Sequence, residues 1–162
     1  MTYIKKFSEF IKESIDVDTF EDINSLSVDD ICDYLINVYP KYQYPKYQNP
    51  NNHRQFLTKD MLKSNEDGIS MQIVTNVDFI ISNIRGQYEC FLHFDKGFPE
   101  EKKRGYFDVI TDICSLEKDN VEGIECIKVS PLDSEVLTLD FCVNVIDRIS
   151  ESDPNNAYYI KA

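Results

Sequence analysis

His93 is the side chain of this sequence best suited to acid–base chemistry. It lies in a stretch in which Glu89, Phe91, His93 and Asp95 alternate with other residues, so these four are predicted to share one face of a strand. A carboxylate beside an imidazole can orient it as a general base. The sequence, however, contains no Gly-x-Ser-x-Gly elbow, phosphate-binding glycine loop, zincin helix or paired-cysteine motif. We therefore predict no catalytic residue and interpret His93 as a surface residue of a strand.

Two pairs of aspartates have the spacing that places both carboxylates on one side of a helix: Asp29 with Asp33, and Asp108 with Asp112. Such a pair could contribute to a Mg²⁺ site, but magnesium usually takes further carboxylates or a bound phosphate as well. Paired carboxylates are also common on solvated helix faces. The sequence predicts neither a metal site nor a cofactor.

The five cysteines do not form a recognisable ligand or disulfide pattern. They are never closer than twelve residues, and the chain has only two histidines. This spacing argues against a zinc site and against a disulfide framework. We predict reduced thiols in the core or in strands of a cytosolic protein; they are Cys32, Cys90, Cys114, Cys126 and Cys142.

The charge of the chain is strongly negative and unevenly placed. Its 162 residues carry a formal charge of -12, and no Lys or Arg lies between Glu13 and Pro40, where eight carboxylates occur. This surface would repel phosphate backbones, so we expect a protein partner rather than nucleic acid. No apolar run approaches the roughly 18 residues of a membrane span, and Glu9 interrupts what would be a secretory signal. We expect no membrane association.

Two helices are predicted at the N-terminus. Residues 1–14 form an amphipathic helix by the spacing of their apolar residues, and Ser14–Leu26 reads as a linker or a loosely packed turn. Ser27 is a helix cap, with Asp30 at the capping-box position, and the second helix ends at Pro40.

A tandem repeat, Tyr-Pro-Lys-Tyr-Gln twice from residue 39 to residue 48, opens a Tyr/Pro-rich loop at 39–56. Its prolines favour an extended backbone, and tyrosines interleaved with lysines suit either a single-stranded nucleic-acid groove or a peptide-docking loop. A surface loop with tyrosines packed on the domain is the alternative. The candidate partner-binding residues of the loop and of the acidic segment are Tyr39, Lys41, Tyr42, Tyr44, Lys46, Tyr47, Asp29, Asp30 and Asp33.

The remaining chain predicts an α+β fold. Strands are expected in 69–84, as one bulged or two short strands, and in 88–94, 124–129 and 137–145, with a helix from Pro99 to Lys118–Asn120. This is a ββαββ antiparallel sheet with a helix packed on one face, a two-layer sandwich preceded by the two N-terminal helices. We assign 1–14 to a targeting or docking segment, 15–150 to a single domain and 151–162 to an irregular tail.

The segment Phe7-Ser8-Glu9-Phe10-Ile11-Lys12-Glu13 resembles the capsid-targeting segments of T-even-type internal head proteins of tailed phages. In that family a head protease cuts after an [Ile/Leu]-x-Glu triplet. The resemblance implies a processing site at Ile11, Lys12 and Glu13, with a mature chain that begins at Ser14.

Two functional hypotheses follow, beside a third class, a small enzyme that uses His93. The first is a non-enzymatic phage-type protein that acts through protein–protein contacts, as an internal head or minor virion component; the second is an acidic inhibitor of a host defence enzyme that imitates nucleic acid. Accordingly, the expected partner is a virion protein or a host enzyme, with a homo-oligomer as a further option, and the expected location is the virion or the host cytoplasm.

Overall fold

The protein is described by a computed structural model, which covers residues 18–35, 62–65, 68–116, 123–132 and 134–157. Within these ranges the fold is α+β, as predicted. The elements are a 3₁₀ turn Ile23–Ser25, helix α1 Val28–Asp33, strands β1 Leu62–Asn65, β2 Gly68–Val74, β3 Val77–Ile84 and β4 Gln87–Phe94, helix α2 Glu100–Asp108, strands β5 Cys114–Leu116 and β6 Cys126–Pro131, and helix α3 Leu139–Ser152. The predicted first helix lies outside the described residues.

The strands form one antiparallel sheet with the order β1-β2-β3-β4-β6-β5. Strands β2, β3 and β4 are joined by two-residue turns: Asn76 (φ 67°) ends the first, and Arg85 (φ 56°) with Gly86 (φ 89°) forms the second. Positive φ at both central residues, as at Arg85 and Gly86, is typical of the tight turns that match strand twist. The segment 69–84 is therefore two strands, one of the two alternatives predicted from its sequence.

One face of the sheet, called the inner face here, carries the hydrophobic core. Phe79, Leu92 and Ile127 are direct neighbours across β3, β4 and β6, and each is at most 2% exposed. Helix α3 covers this face with Leu139, Cys142, Val145, Ile146 and Ile149, all fully buried. Burial of one face of an antiparallel sheet by a helix is the standard two-layer arrangement.

The prediction of a strand at 137–145 is wrong, because this segment begins helix α3. Thr138 caps the helix: its hydroxyl oxygen accepts a hydrogen bond from the N–H of Phe141 at 3.1 Å. Leu139, Phe141, Val143 and Val145 are all buried although they lie on different sides of the helix. A helix that is apolar around most of its circumference satisfies an alternating pattern as well as a helical one.

The predicted ββαββ order and the long central helix are also wrong. Helix α2 ends at Asp108 rather than near Lys118, and strand β5 follows it at Cys114. Helix α2 does not cross the sheet. It packs near the end of strand β4, where the rings of Phe107 and Phe94 make an edge-to-face contact at 5.7 Å. The buried Lys103 ties α2 to the segment before β6 through a 2.6 Å hydrogen bond from its ammonium to the carbonyl of Ile124.

The segment before α1 is packed against α3, which corrects its prediction as a loose linker. Ile23 is fully buried, and its N–H donates to the carbonyl of Leu137 at 2.8 Å. The N–H of Asp140 donates to the carbonyl of Thr19 at 2.9 Å. Ser27 caps α1 as predicted, through its hydroxyl oxygen and the N–H of Asp30. The predicted continuation of this helix beyond Leu35 lies outside the described residues.

The chain after α3 also contacts the sheet. The predicted irregular tail starts at Glu151, but α3 continues to Ser152, and Ala157 is fully buried in a bridge to Val74. The hydroxyl of Tyr106 on α2 donates to a carboxylate oxygen of Asp153 at 2.6 Å. The two helices and the end of the described chain are thereby held together.

Candidate functional site

The face of the sheet opposite α3, the outer face, places three chemically active side chains in one row. Asp78 on β3, His93 on β4 and Cys126 on β6 are direct cross-strand neighbours. Side chains paired in this way have Cβ atoms about 4.5 to 5.5 Å apart. An acid, an imidazole and a thiol therefore lie side by side, although they are 48 positions apart in the sequence at most.

The carboxylate nearest to His93 is that of Asp78, not those of Glu89 and Asp95 as predicted. The Nδ1 atom of His93 lies 3.8 Å from a carboxylate oxygen of Asp78, an ionic contact when the imidazole is protonated but too long for a hydrogen bond. Glu89 shares the face of His93 but forms an ion pair with Lys128 at 2.8 Å. Asp95 lies one residue past the end of β4.

Cys126 is the functional candidate that sequence reasoning missed. Unlike the four other cysteines, which are buried, it is exposed. Partial burial raises the pKa of its thiol, so the protonated form dominates at neutral pH. The row places this thiol beside an imidazole on the neighbouring strand. The sequence gives no local signal for this, because the neighbour relation depends on β6 pairing with β4.

A cleft opens where strands β4 and β6 separate. Their pairing runs from His93 with Cys126 to Cys90 with Val129 and goes no further, although β6 continues to Pro131 with β5 on its other side. The cleft has a volume of about 620 Å³. Its lining combines hydroxyl, charged and apolar groups, including Tyr88, Glu89, Cys90, Ser115, Lys128, Ser130, Leu132 and Glu135.

Next to the cleft, the side chain of Asn24 takes a hydrogen-bonding position that a neighbouring strand would otherwise occupy. In an antiparallel pair every second residue directs its N–H to the same neighbour. Phe94 directs its N–H to the β6 side, where it donates to the carbonyl of Glu125 at 2.7 Å. Tyr88, six residues earlier, directs its N–H to the same side and donates to the side-chain oxygen of Asn24 at 2.7 Å. The side chain of Asn24 thus accepts the hydrogen bond of the Tyr88 N–H, which lies beyond the pairing of β4 with β6.

The acidic residues Asp29, Asp30 and Asp33 lie on α1, in a segment that the fold holds against the start of α3. Burial, and secondarily the nearby Asp140, raises the pKa of Tyr34 at the end of α1. The segment 18–35 contains six carboxylates and no Lys, Arg or His. Asp140 therefore adds a further negative charge close to this acidic segment, and the two together are called the acidic surface here.

The second aspartate pair does not lie on one helix, because α2 ends at Asp108. Asp112 instead receives both of its short contacts, at 2.7 Å, from one guanidinium nitrogen of Arg148. Among the described residues, no three His, Cys, Asp or Glu side chains converge as metal ligands would. None of the helices in the described ranges has the length and hydrophobicity needed to cross a membrane.

Two groups of predicted site residues lie outside the described residues. They are the processing triplet Ile11, Lys12 and Glu13, and the loop residues Tyr39, Lys41, Tyr42, Tyr44, Lys46 and Tyr47. The described site therefore consists of the outer-face row, the cleft and the acidic surface. Comparison with known proteins finds no matching family model, curated protein or solved structure.

Proposed function

We propose that this chain acts by binding another protein, and that the cleft between β4 and β6 receives an extended segment of that partner. The observation that carries the proposal is the hydrogen bond between the Tyr88 N–H and the Asn24 side chain. A backbone donor held by a side chain at the place of a missing strand can exchange that partner for the carbonyl of an incoming strand. Recognition by strand addition uses main-chain hydrogen bonds of this kind for affinity.

The lining of the cleft suits such a segment. Ser115 and Ser130 offer hydroxyl groups, and the ion pair of Glu89 with Lys128 offers both charges beside them. Leu132 is 51% exposed at the same cleft and provides an apolar contact. Interfaces commonly combine a small apolar centre with a polar surround.

A charge substitution at Leu132 tests the cleft. We expect Leu132→Lys to reduce partner capture from a lysate of the source culture at least about tenfold, which corresponds to about 1.4 kcal/mol. Ile84→Lys is the matched control, because Ile84 is 41% exposed and lies outside both the cleft and the acidic segment 18–35. Equal capture by wild type and by both variants would contradict binding at the cleft, as would failure of the wild type to capture any partner.

The proposed partner is a protein of a phage particle, which would make the chain an internal head or minor virion component. The support is the resemblance of residues 7–13 to capsid-targeting segments. Intact mass of the native protein, measured separately in purified particles and in cleared lysate, tests this role. A particle-associated form that begins at Ser14 is the expected result; full-length protein found only in the lysate would contradict it.

A second candidate function is inhibition of a host defence enzyme with a basic cleft. The acidic segment 18–35 favours it, because the fold fixes that segment against α3 through the contacts of Ile23 and Asp140. Carboxylates held on a rigid surface can occupy a site that normally binds phosphates. This function needs the acidic surface and does not need the cleft.

The two functions are separated by neutralising charges. Capture of a host enzyme through the acidic surface should fall when Glu21→Gln, Asp29→Asn and Asp33→Asn are combined. The matched control neutralises three exposed acids elsewhere, Glu101→Gln, Asp108→Asn and Glu125→Gln. If both triple variants lose capture equally, net charge rather than this surface is responsible and the second function is contradicted.

A further inference from the structure

Two buried thiols are in contact inside the domain. Cys90 lies on β4 and faces the core, and Cys142 lies in the first turns of α3. The Cys90 side chain is 1% exposed and that of Cys142 is fully buried. Their Sγ atoms are 3.6 Å apart, although the residues are 52 positions apart in the sequence. The fold alone therefore brings this pair of thiols together.

We infer that Cys90 and Cys142 form a redox pair that a peroxide converts into an intramolecular disulfide. A disulfide bond is about 2.05 Å long, so the two sulfur atoms must approach each other by about 1.5 Å. The bond would join the central strand β4 to α3, the helix that covers the inner face of the sheet. It would form whether or not the cleft binds a protein.

In the proposed reaction the oxidant enters from the cleft between β4 and β6, and because the Cys90 side chain is 1% exposed, its sulfur becomes reachable by local opening of the fold. Cys90 belongs to the lining of this cleft, together with Tyr88 and Val129, and the cleft is far larger than a peroxide molecule. Cys142 does not line the cleft. This difference assigns the first step to Cys90 and the second step to Cys142.

The reaction balances in two steps. The Cys90 sulfur attacks one peroxide oxygen, the O–O bond breaks, and one water leaves with the thiol proton, which gives a sulfenic acid. The Cys142 sulfur then attacks the Cys90 sulfur and forms the S–S bond, and the sulfenic oxygen leaves as a second water with the Cys142 proton. Two thiols are oxidised by two electrons, and the peroxide is reduced to two waters.

A third core thiol provides the internal control. Cys114 on β5 is also buried, and burial raises the pKa of its thiol to about 12. Burial likewise raises the pKa of Cys90 well above its ordinary value, with the Cys142 contact as the next cause. Both thiols are therefore protonated at neutral pH and react slowly with peroxide. Contact with a second sulfur, rather than a higher reactivity, distinguishes Cys90.

The test uses the full chain with Cys126→Ser, which removes the exposed thiol and its intermolecular products. The reduced protein is treated with hydrogen peroxide, unfolded, alkylated at remaining free thiols and mapped by mass spectrometry. We expect one cross-linked peptide pair that contains Cys90 and Cys142, with Cys32 and Cys114 alkylated. Reduction with dithiothreitol before alkylation should restore four alkylated cysteines.

Three outcomes would overturn the inference: four alkylated cysteines after oxidation, a cross-link that includes Cys114 or Cys32, or loss of Cys90 and Cys142 to irreversible acids without a cross-link. None of these readouts depends on a core variant that folds poorly. Where variants fold, Cys90→Ala and Cys142→Ala should each abolish the cross-link. Cys114→Ala is the matched control and should retain it.

Discussion

Strand β4 shows the difference between the two faces of the sheet within eight residues. Cys90, Leu92 and Phe94 point to the inner face and are almost completely buried, whereas Phe91 and His93 on the outer face are only partly buried. Burying one large apolar side chain stabilises the fold by about 1.5 to 3 kcal/mol. A partly exposed ion pair contributes only about 0 to 1 kcal/mol.

The two faces of the sheet should contribute differently, the inner face to stability and the outer face to chemistry. The inner face should determine whether the chain folds, and substitutions there will be read first as losses of stability. The outer-face pairs, Asp78 with His93 and Glu89 with Lys128, contribute little to folding by this argument. Substitutions on the outer face are therefore the better reporters of function.

The largest expected effect comes from removing one phenylalanine from each face. Phe79 on the inner face is 1% exposed and lies opposite Leu92, so Phe79→Ala should lower the free energy of unfolding by about 3 to 5 kcal/mol. Phe91→Ala removes the same atoms from the partly buried outer face and should cost about 1 kcal/mol. Urea denaturation measures both values.

An equal loss for the two phenylalanine variants would contradict the difference between the faces, because it would mean that the outer face is packed as tightly as the inner face. The slope of the denaturation curve should stay the same for both variants. A changed slope would indicate that the variant alters the unfolded or folded state more widely.

Two glycine substitutions compare a tightly packed position in the sheet with an open position on a helix. A Cβ atom on Gly68 would lie 2.1 Å from the carbonyl oxygen of Ile81 on the neighbouring strand, and Gly68 has φ +155°. Gly68→Ala should therefore destabilise the protein by more than about 1 kcal/mol. Gly105→Ala, in α2 where the added Cβ meets no atom, should stabilise it by about 0.5 to 1 kcal/mol.

Thermal unfolding of the two glycine variants gives the answer. Opposite shifts of the melting temperature are expected. A melting temperature of Gly68→Ala equal to that of the wild type would show that strands β2 and β3 can separate locally at little cost.

Patterns within a single element predicted strands β2, β3, β4 and β6, but not strands β1 and β5 or helix α3. Alternation identified β4, and Gly86 indicates the turn before it because glycine tolerates positive φ, whereas the positive φ of Arg85 does not follow from its residue type. The same alternation misassigned α3, because Phe141 and Val143 are buried on sides of the helix that a two-layer protein usually leaves exposed. The Thr138 cap was present in the sequence but was outweighed by the pattern.

The candidate site could be predicted only in part. The sequence identifies His93 as its best acid–base group, but alternation indicates neighbours for it only on the same strand. Asp78 and Cys126 become neighbours of His93 only because β4 lies between β3 and β6 in the sheet. In the sequence, α2 and β5 separate β4 from β6. Sequence periodicity specifies which residues share a face, but the order of strands in a sheet depends on long-range packing.

The ion pair between Asp112 and Arg148 should make a contribution to stability that depends on pH. The Arg148 guanidinium is the main cause of a lowered pKa of Asp112. A carboxyl whose pKa is lowered by folding stabilises the protein above the unfolded value of 3.8, and this stabilisation is lost as the pH falls through the lower folded value. Asp112→Asn should therefore flatten the acid limb of the stability curve.

Urea midpoints measured from neutral pH to below 3.8 check this prediction. Asp108→Asn is the control, because Asp108 lies four residues earlier and has no ion pair with Arg148. If the two variants show the same acid limb as the wild type, the ion pair does not form in solution.

The smallest expected effect on stability belongs to His93. His93→Gln should change the free energy of unfolding by no more than about 0.5 kcal/mol, because the imidazole is partly exposed and its contact with Asp78 is 3.8 Å long. Its effect should be chemical instead. In the native protein iodoacetamide should modify Cys126 alone, since the other four cysteines are buried.

The alkylation rate of Cys126 then decides whether the outer-face row acts as a unit. Partial burial raises the pKa of this thiol, so it should react more slowly than a cysteine in a short peptide. If the imidazole on the neighbouring strand accepts the thiol proton, His93→Gln should lower the rate further. Equal rates in wild type and variant would mean that strand pairing places these groups together without chemical coupling, and the outer face would then differ from the inner face in exposure alone.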